Sequence, residues 1–308
     1  MSHPEKLSSI EAILEQLESN RYIADQLLAT IIYLSHHMNK PIFLEGEPGV
    51  GKTEIAIVLS RIFESRLIRL QCYEGLDANS ALFEWNYPKQ LLRIKMDEQS
   101  QKTPDEIGNV IYSEPYLIKR PLLEAILNSQ NDHPVLLIDE LDRADEEFEA
   151  FLLEILSDFQ VSIPEIGTLK ATHKPLVVIT SNRTRDIHDA LKRRCLYHWI
   201  DYPDLEKEMQ IIQARITRIE ESLALQIAAF MQTIRKEDLM KKPGVSESLD
   251  WAEALIKLNQ GVLDQQIVEQ TLGCILKYRE DIKKFRSSIW ADADKRSQLL
   301  AAGQISPC

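Results

Sequence analysis

Apolar positions recur at helical spacing from residue 7 to 38, at Ile10, Ile13, Leu14 and Leu17 and again at Ile23, Leu27, Leu28, Ile31 and Ile32, which predicts two helices before any strand. From Pro41 the pattern changes. Short apolar runs alternate with helical stretches, the signature of βαβ units and a mainly parallel sheet. Five runs read as its strands: Ile42–Leu44, Leu67–Leu70, Val135–Ile138, Leu176–Ile179 and Tyr197–Ile200. The third and fourth are apolar enough to be covered on both faces, so they are expected at the centre. Between the second and third strands lies a long insertion, about 77–120, holding Phe83, Trp85 and Tyr87 and then the polar stretch Met96 to Gly108. Phe148, Phe151, Leu152, Ile155, Leu156 and Phe159 mark an amphipathic helix, and residues 160–175 read as a β-hairpin turning near Gly167. After Pro203 strand signals stop. The pattern is helical to about Phe285, broken at Lys242-Pro243-Gly244. The expected division is an α/β core over 1–202, a C-terminal all-helical lid domain over 203–285 and a tail over 286–308.

Composition narrows the classes. A length of 308 residues suits two domains, and Lys+Arg 36 against Asp+Glu 48 gives a net charge of −12, which disfavours nucleic acid and anionic membranes as partners. The N-terminus MSHPEKLSS has no apolar signal core, and the longest apolar stretch, Leu27 to Leu34, falls far short of the ~20 residues that span a bilayer. A cytoplasmic, membrane-free protein is expected. Cys72, Cys195, Cys274 and Cys308 form no C-x-x-C pair and read as reduced thiols. The seven histidines show no ligand spacing, His36 and His37 being neighbours that cannot face one site from a helix.

The strongest chemical signal is Gly46-Glu47-Pro48-Gly49-Val50-Gly51-Lys52-Thr53, a match to G-x-x-x-x-G-K-[ST] between a strand and a helix that continues with Glu54. Its glycines let backbone N–H groups wrap phosphates, Lys52 reaches the β- and γ-phosphates of ATP, and the Thr53 hydroxyl ligates Mg²⁺. A second piece is Asp139-Glu140 at the end of the third strand, where open α/β sheets place their ligands. Adjacent strand residues point to opposite sides, so the two carboxylates can do different work. Asp139 would hold Mg²⁺ through water and Glu140 would activate the attacking water, which favours hydrolysis to ADP and phosphate over transfer; two helix-capping acids are the bland alternative. Asn182, after the fourth strand, is positioned to sense the γ-phosphate or the water, although a turn asparagine has the same look. Lys192-Arg193-Arg194 is a basic cluster in an acidic chain; an arginine there could stabilise charge on a neighbouring subunit's nucleotide, or the cluster is a solvated face.

These pieces, in this order, resemble an AAA+ ATPase. The phrases Gln71-Cys72-Tyr73-Glu74-Gly75-Leu76-Asp77, Glu84-Trp85-Asn86-Tyr87-Pro88, Asp139-Glu140-Leu141-Asp142-Arg143-Ala144-Asp145 and Asp189 to Trp199 resemble the MoxR family, and within it the CoxD-type members, over about residues 20 to 285. The resemblance implies an AAA+ P-loop NTPase αβα core with a parallel five-stranded sheet and a helical lid, ATP with Mg²⁺ at a subunit interface, and a homo-oligomer, usually a hexameric ring. It implies a chaperone that acts with a von Willebrand factor A domain partner on a client metalloenzyme, such as a molybdenum and copper hydroxylase of the carbon monoxide dehydrogenase type. It puts the phosphate loop on Gly46 to Thr53, Walker B on Asp139 and Glu140, sensor 1 on Asn182 and the trans-acting finger on Arg194, with Arg193 its competitor. Gln71 is the expected polar partner of Glu140, and Arg143 could act across the interface or serve the surface. The insertion and the hairpin look like elements that approach a ring pore, while Trp85 and Tyr87 could equally fill core. One departure stands out: Gly244-Val245-Ser246-Glu247-Ser248 lacks the sensor 2 arginine that many relatives carry there. That keeps alive an ATP-dependent scaffold with negligible turnover. A DNA-associated AAA+ protein is the third reading, and the acidic charge counts against it.

Overall fold

The computed structural model describes residues 7–97, 103–128 and 133–301; residues 1–6, the middle of the polar stretch (98–102) and the end of the tail, Cys308 included, lie outside the described residues. The chain packs as two units. One takes the described residues of Met1–Leu14, Gln26–Glu45 and Thr53–Trp199, the other those of Glu15–Asp25, Gly46–Lys52 and Ile200–Cys308.

Two helices, α1 (Ile10–Ser19) and α2 (Gln26–Met38), precede β1 (Ile42–Gly46), followed by α3 (Lys52–Ile62) and β2 (Leu67–Gln71). The insertion then contributes α4 (Ala78–Leu82), β3 (Phe83–Trp85), α5 (Tyr87–Asp97), α6 (Pro104–Ile111), β4 (Leu117–Lys119) and α7 (Pro121–Asn128). The chain returns through β5 (Val135–Asp139), α8 (Glu146–Asp158), the hairpin β6 (Gln160–Ile163) and β7 (Gly167–Lys170), β8 (Leu176–Ser181), α9 (Asp189–Lys192) and β9 (Leu196–Ile200). The five expected strands form one sheet in the order β2-β5-β8-β1-β9. Its parallel register pairs Gln71 with Asp139 and Glu45 with Ser181, so the polar strand ends fall on one edge. Every residue of β1 and β5 is buried, and of β8 all but the first. The apolar runs put β5 and β8 at the centre; β1 is as deeply buried because the crossovers seat it between β8 and β9.

Phe43, Leu70, Ile138, Ile179 and Leu191 share this unit's core with Phe148, Leu152, Ile155 and Leu156 of α8, the stripe its sequence pattern announces. Each such side chain contributes roughly 1.5–3 kcal/mol by leaving water. In the insertion β3 pairs antiparallel with β4, and Trp85 packs between the rings of Phe83 and Tyr112 while Tyr87 is exposed. Helix α6 starts on a capping box, Thr103 and Glu106 each bonding the other's backbone N–H.

The second unit is helical: α10 (Leu205–Arg215), α11 (Glu221–Ile234), α12 (Val245–Lys257), α13 (Gln265–Ile275), α14 (Arg279–Lys284) and α15 (Ala293–Ala301). Asp204 and Asp264 cap α10 and α13 by accepting from the third backbone N–H beyond them. Phe230, Trp251, Leu255 and Val268 fill the core, which continues past residue 285 through Ile289, Trp290 and Leu299. The Trp251 indole N–H, fully buried, donates to Thr271 Oγ1 at 2.8 Å.

Candidate active site

In the α/β unit the chemistry collects where β5 ends. An apolar strand delivers Asp139 to the sheet edge, and the backbone then turns through a left-handed residue, Glu140 (φ 55°, ψ 51°). Asp139 is only 2% exposed. Its Oδ1 accepts from Thr53 Oγ1 at 3.0 Å and from Thr180 Oγ1 at 2.6 Å, and its Oδ2 accepts from Arg69 Nη2 at 2.5 Å. Thr180 works twice, since the Glu140 backbone N–H donates to the same hydroxyl at 2.9 Å. Arg69 Nη2 also donates to Gln71 Oε1 (2.6 Å), and Gln71 Nε2 passes the connection on to Glu140 Oε2 (3.1 Å), which Arg143 Nε meets at 3.0 Å. The two carboxylates are thus tied by a guanidinium and an amide. Gln71 was expected as the polar partner of Glu140, while Arg143 was expected to act across the interface or serve the surface; Arg69 and Thr180 were not expected, although the parallel register of β2 on β5 was the signal that could have found Arg69.

Asp142, inside the resembling phrase but given no role by it, holds the neighbouring loop. Its Oδ1 accepts from the Asn182 backbone N–H at 3.1 Å and its Oδ2 from Thr184 N and Oγ1 at 2.9 and 2.7 Å. Burial raises its pKa, and the bonds from Thr184 and Asn182 outweigh that, so the carboxyl sits below its ordinary value. Asn182 is half-buried at the start of that loop. Further along, Lys192 pairs with the buried Glu45 at 3.5 Å, which seats α9 and the arginines after it. Arg194 Nη1 donates to the Leu153 carbonyl at 3.0 Å; Arg193 is exposed, and its guanidinium has no bond or ion pair among the described residues. Burial, with Asp139 next among the causes, pushes the Cys72 thiol up to about 12, and burial does the same to Cys195, so neither is a nucleophile here.

The glycine-rich turn belongs to the other unit and is shaped by it. Gly46 has no room for a Cβ, which would lie 2.3 Å from the Ile200 carbonyl oxygen. Gly49 is left-handed (φ +77°), and a Cβ there would strike Ser246 Oγ at 2.5 Å. The Ser246 N–H donates to the Gly49 carbonyl at 3.1 Å, so the start of α12 sits directly on the turn. Lys52 is buried, with Nζ donating to the carbonyls of Gly46 (2.8 Å) and Glu47 (2.7 Å). Where relatives are expected to carry an arginine stands Ser248, whose Oγ donates to Glu208 Oε1 at 2.6 Å; one residue earlier, Glu247 Oε2 accepts from the Gly244 N–H at 2.8 Å and caps α12. Behind it the buried Arg235 binds Glu208 through two 2.6 Å bonds and donates to the Pro243 carbonyl at 2.8 Å. Tyr202 lies under the Arg235 guanidinium, 4.8 Å from ring centroid to Cζ. Burial, then Glu47 and Glu247, push its hydroxyl up to about 12 against the pull of Arg235.

A strand, a glycine-rich turn and a helix beginning Lys52-Thr53, with the Asp139 carboxylate on the threonine hydroxyl, define a P-loop nucleotide-binding protein. Residues 41–195 match the AAA domain (dynein-related subfamily), and the chain belongs to that family of AAA+ ATPases, whose members commonly form oligomeric rings. An uncharacterized protein of Staphylococcus haemolyticus is 26% identical over 270 residues, 85% of this chain and 93% of its own length. One of Staphylococcus aureus strain NCTC 8325 is 25% identical over 228 residues, 72% of this chain and 77% of its own. Among solved structures, the RuvB Holliday junction branch migration motor of Thermotoga maritima is similar at a TM-score of 0.47 and 16% identity, covering 91% of this chain and 80% of that one. Among the described residues no helix is long and apolar enough to cross a membrane, and no group of His, Cys, Asp and Glu is arranged to hold a metal ion by itself.

Proposed function

We propose that the chain is an ATP-hydrolysing chaperone of the MoxR type that remodels or matures a client protein. The observation that carries the hydrolytic part is the shell of Asp139, whose buried carboxylate meets the Thr53 hydroxyl at 3.0 Å. Both are hard oxygen donors, the kind Mg²⁺ prefers, and Thr53 directly follows the lysine that would hold the phosphates. Thr53 and Asp139 would therefore hold Mg²⁺, the latter through water; bound there, the ion neutralises phosphate charge. Gly46 to Lys52 would present backbone N–H groups and the Lys52 ammonium to ATP, with Glu54 in the first turn of α3 behind them. Glu140 would take the proton of the attacking water once Gln71 and Arg143 release it, and Asn182 would orient that water. Arg194 is the proposed trans-acting residue, its single bond to the Leu153 carbonyl being weaker than one to a phosphate. Arg193 is the alternative, its guanidinium without a bond or ion pair among the described residues.

The resemblance of Gln71–Asp77, Glu84–Pro88, Asp139–Asp145 and Asp189–Trp199 to MoxR and CoxD-type proteins supports a hexameric ring. It also supports a von Willebrand factor A partner and a client metalloenzyme of the carbon monoxide dehydrogenase type. The cytoplasm is the proposed location.

The test is ATPase rate per subunit against protein concentration, for wild type and Glu140→Gln. Turnover that rises with concentration and vanishes in the variant, with ATP still bound, is the expected result; Arg194→Ala should lose ~10³–10⁵-fold of it. A concentration-independent rate would exclude completion of the site in trans. Normal turnover in Arg194→Ala but not in Arg193→Ala would reassign the finger.

A further inference from the structure

At the amino-terminal edge of the parallel sheet, the other end of the strands from Asp139, a cavity of about 680 Å³ opens in the α/β unit. It is bounded by the end of α2, Phe63 after α3, and the residues leading into β5 and β8. Its volume lies in the range that holds small organic ligands. Its charge is the reverse of the molecule's. The chain carries 48 acids against 36 bases, yet among the described residues the lining contains Lys40 and Lys174, the imidazoles of His36, His133 and His173, and no carboxylate. The rest is mostly uncharged, with Phe63, Pro175 and Leu176 supplying apolar wall.

The imidazoles crowd one another. The rings of His133 and His173 are 4.8 Å apart edge to face, and His36 lies 5.7 Å from the Phe63 ring. Burial, then repulsion from His37 and His133, lowers the His36 pKa, a field that an anion would relieve. These histidines are not a metal set, because no such group exists among the described residues. Two ammonium groups and three imidazoles beside apolar wall match a ligand with a charged head and a flat or greasy body.

We propose that this cavity is a second ligand site, separate from the P-loop, for a small organic anion bearing a phosphate or carboxylate head on an aromatic or apolar body. The proposal is independent of the turnover and client assigned above.

Phenyl phosphate titrated into the full-length, nucleotide-free protein is the probe, read by NMR at the imidazole C2 protons assigned through single His→Gln variants. The signals of His36, His133 and His173 should move along one saturable isotherm while that of His198 stays. The double variant Lys40→Glu/Lys174→Glu should weaken binding by at least about tenfold, and Lys52→Ala should leave it unchanged. If the double variant does not fold, His173→Gln replaces it, with a several-fold loss expected. Shifts that never saturate, an unchanged isotherm in the charge-reversed protein, or loss of binding in Lys52→Ala would overturn the site. Equal affinity for inorganic phosphate would overturn the organic body.

Discussion

Each unit buries a carboxylate against an arginine, and the two pairs are held in opposite ways. Glu208 is fully enclosed, and Arg235 nearly so; the two share a fork of parallel 2.6 Å bonds. The spare capacity of Glu208 is filled by Ser248 Oγ at 2.6 Å and Gln232 Nε2 at 2.8 Å. Asp139 is just as buried, but its arginine, Arg69, is 53% exposed, and its other partners are hydroxyls with further uses. A saturated pair is architecture, tying α10, α11 and the turn at Pro243 together. A carboxylate with exchangeable partners suits the cation site proposed for it, since it could trade an exposed guanidinium for Mg²⁺ without leaving a hole in the core.

The largest test of that contrast is Arg235→Met, which leaves Glu208 buried and unpaired and should cost about 3–5 kcal/mol in denaturant unfolding. Adding Glu208→Leu should recover most of the loss, since a well-packed apolar pair replaces a buried ion pair at little cost. A loss under about 1 kcal/mol in the single variant would mean the pair is not the closed lock its geometry describes. Asp139→Asn should do the converse. It keeps the shape and most hydrogen bonds, so stability should move by about 1 kcal/mol, while Mg²⁺-dependent affinity for a fluorescent ATP analogue drops at least about tenfold. Equal affinity with Mg²⁺ and with EDTA in the wild type would remove the exchange argument. The smallest effect is a pH dependence. Because the folded pKa of Asp142 is lowered, its contribution is present above the ordinary carboxylate value and is lost as pH falls through that value and then the folded one. Asp142→Asn should flatten this acid limb, by about 1 kcal/mol between pH 6 and pH 3; an unchanged profile would show that Asp142 does not hold the Asn182 loop.

Local signals in the sequence found the sheet and the glycine-rich turn, because an apolar run and a glycine pattern declare themselves within a few residues. The partners of Asp139 were harder to see. Thr180 and Arg69 are 41 and 70 residues away from it, and only the register of parallel strands brings them to its oxygens. Asp142 was hidden for the same reason, its bonds spanning 40 and 42 residues. The Thr103 and Glu106 capping box was local, yet it passed unread inside the polar stretch Met96 to Gly108. Past residue 285 the mixed composition concealed that Ile289, Trp290 and Leu299 join Phe285 in sealing a core.

The backbone of Glu140 carries one more consequence. A glutamate at φ 55° occupies a conformation in which asparagine and glycine are at ease and a longer side chain is strained by about 1 kcal/mol or more. Glu140→Asn should therefore unfold at a higher denaturant concentration than Glu140→Gln, though neither turns over ATP. Glu64 takes the same left-handed state (φ 50°), so the chain bears this cost elsewhere too, and at Glu140 only the water-activating role proposed above would give the cost a use.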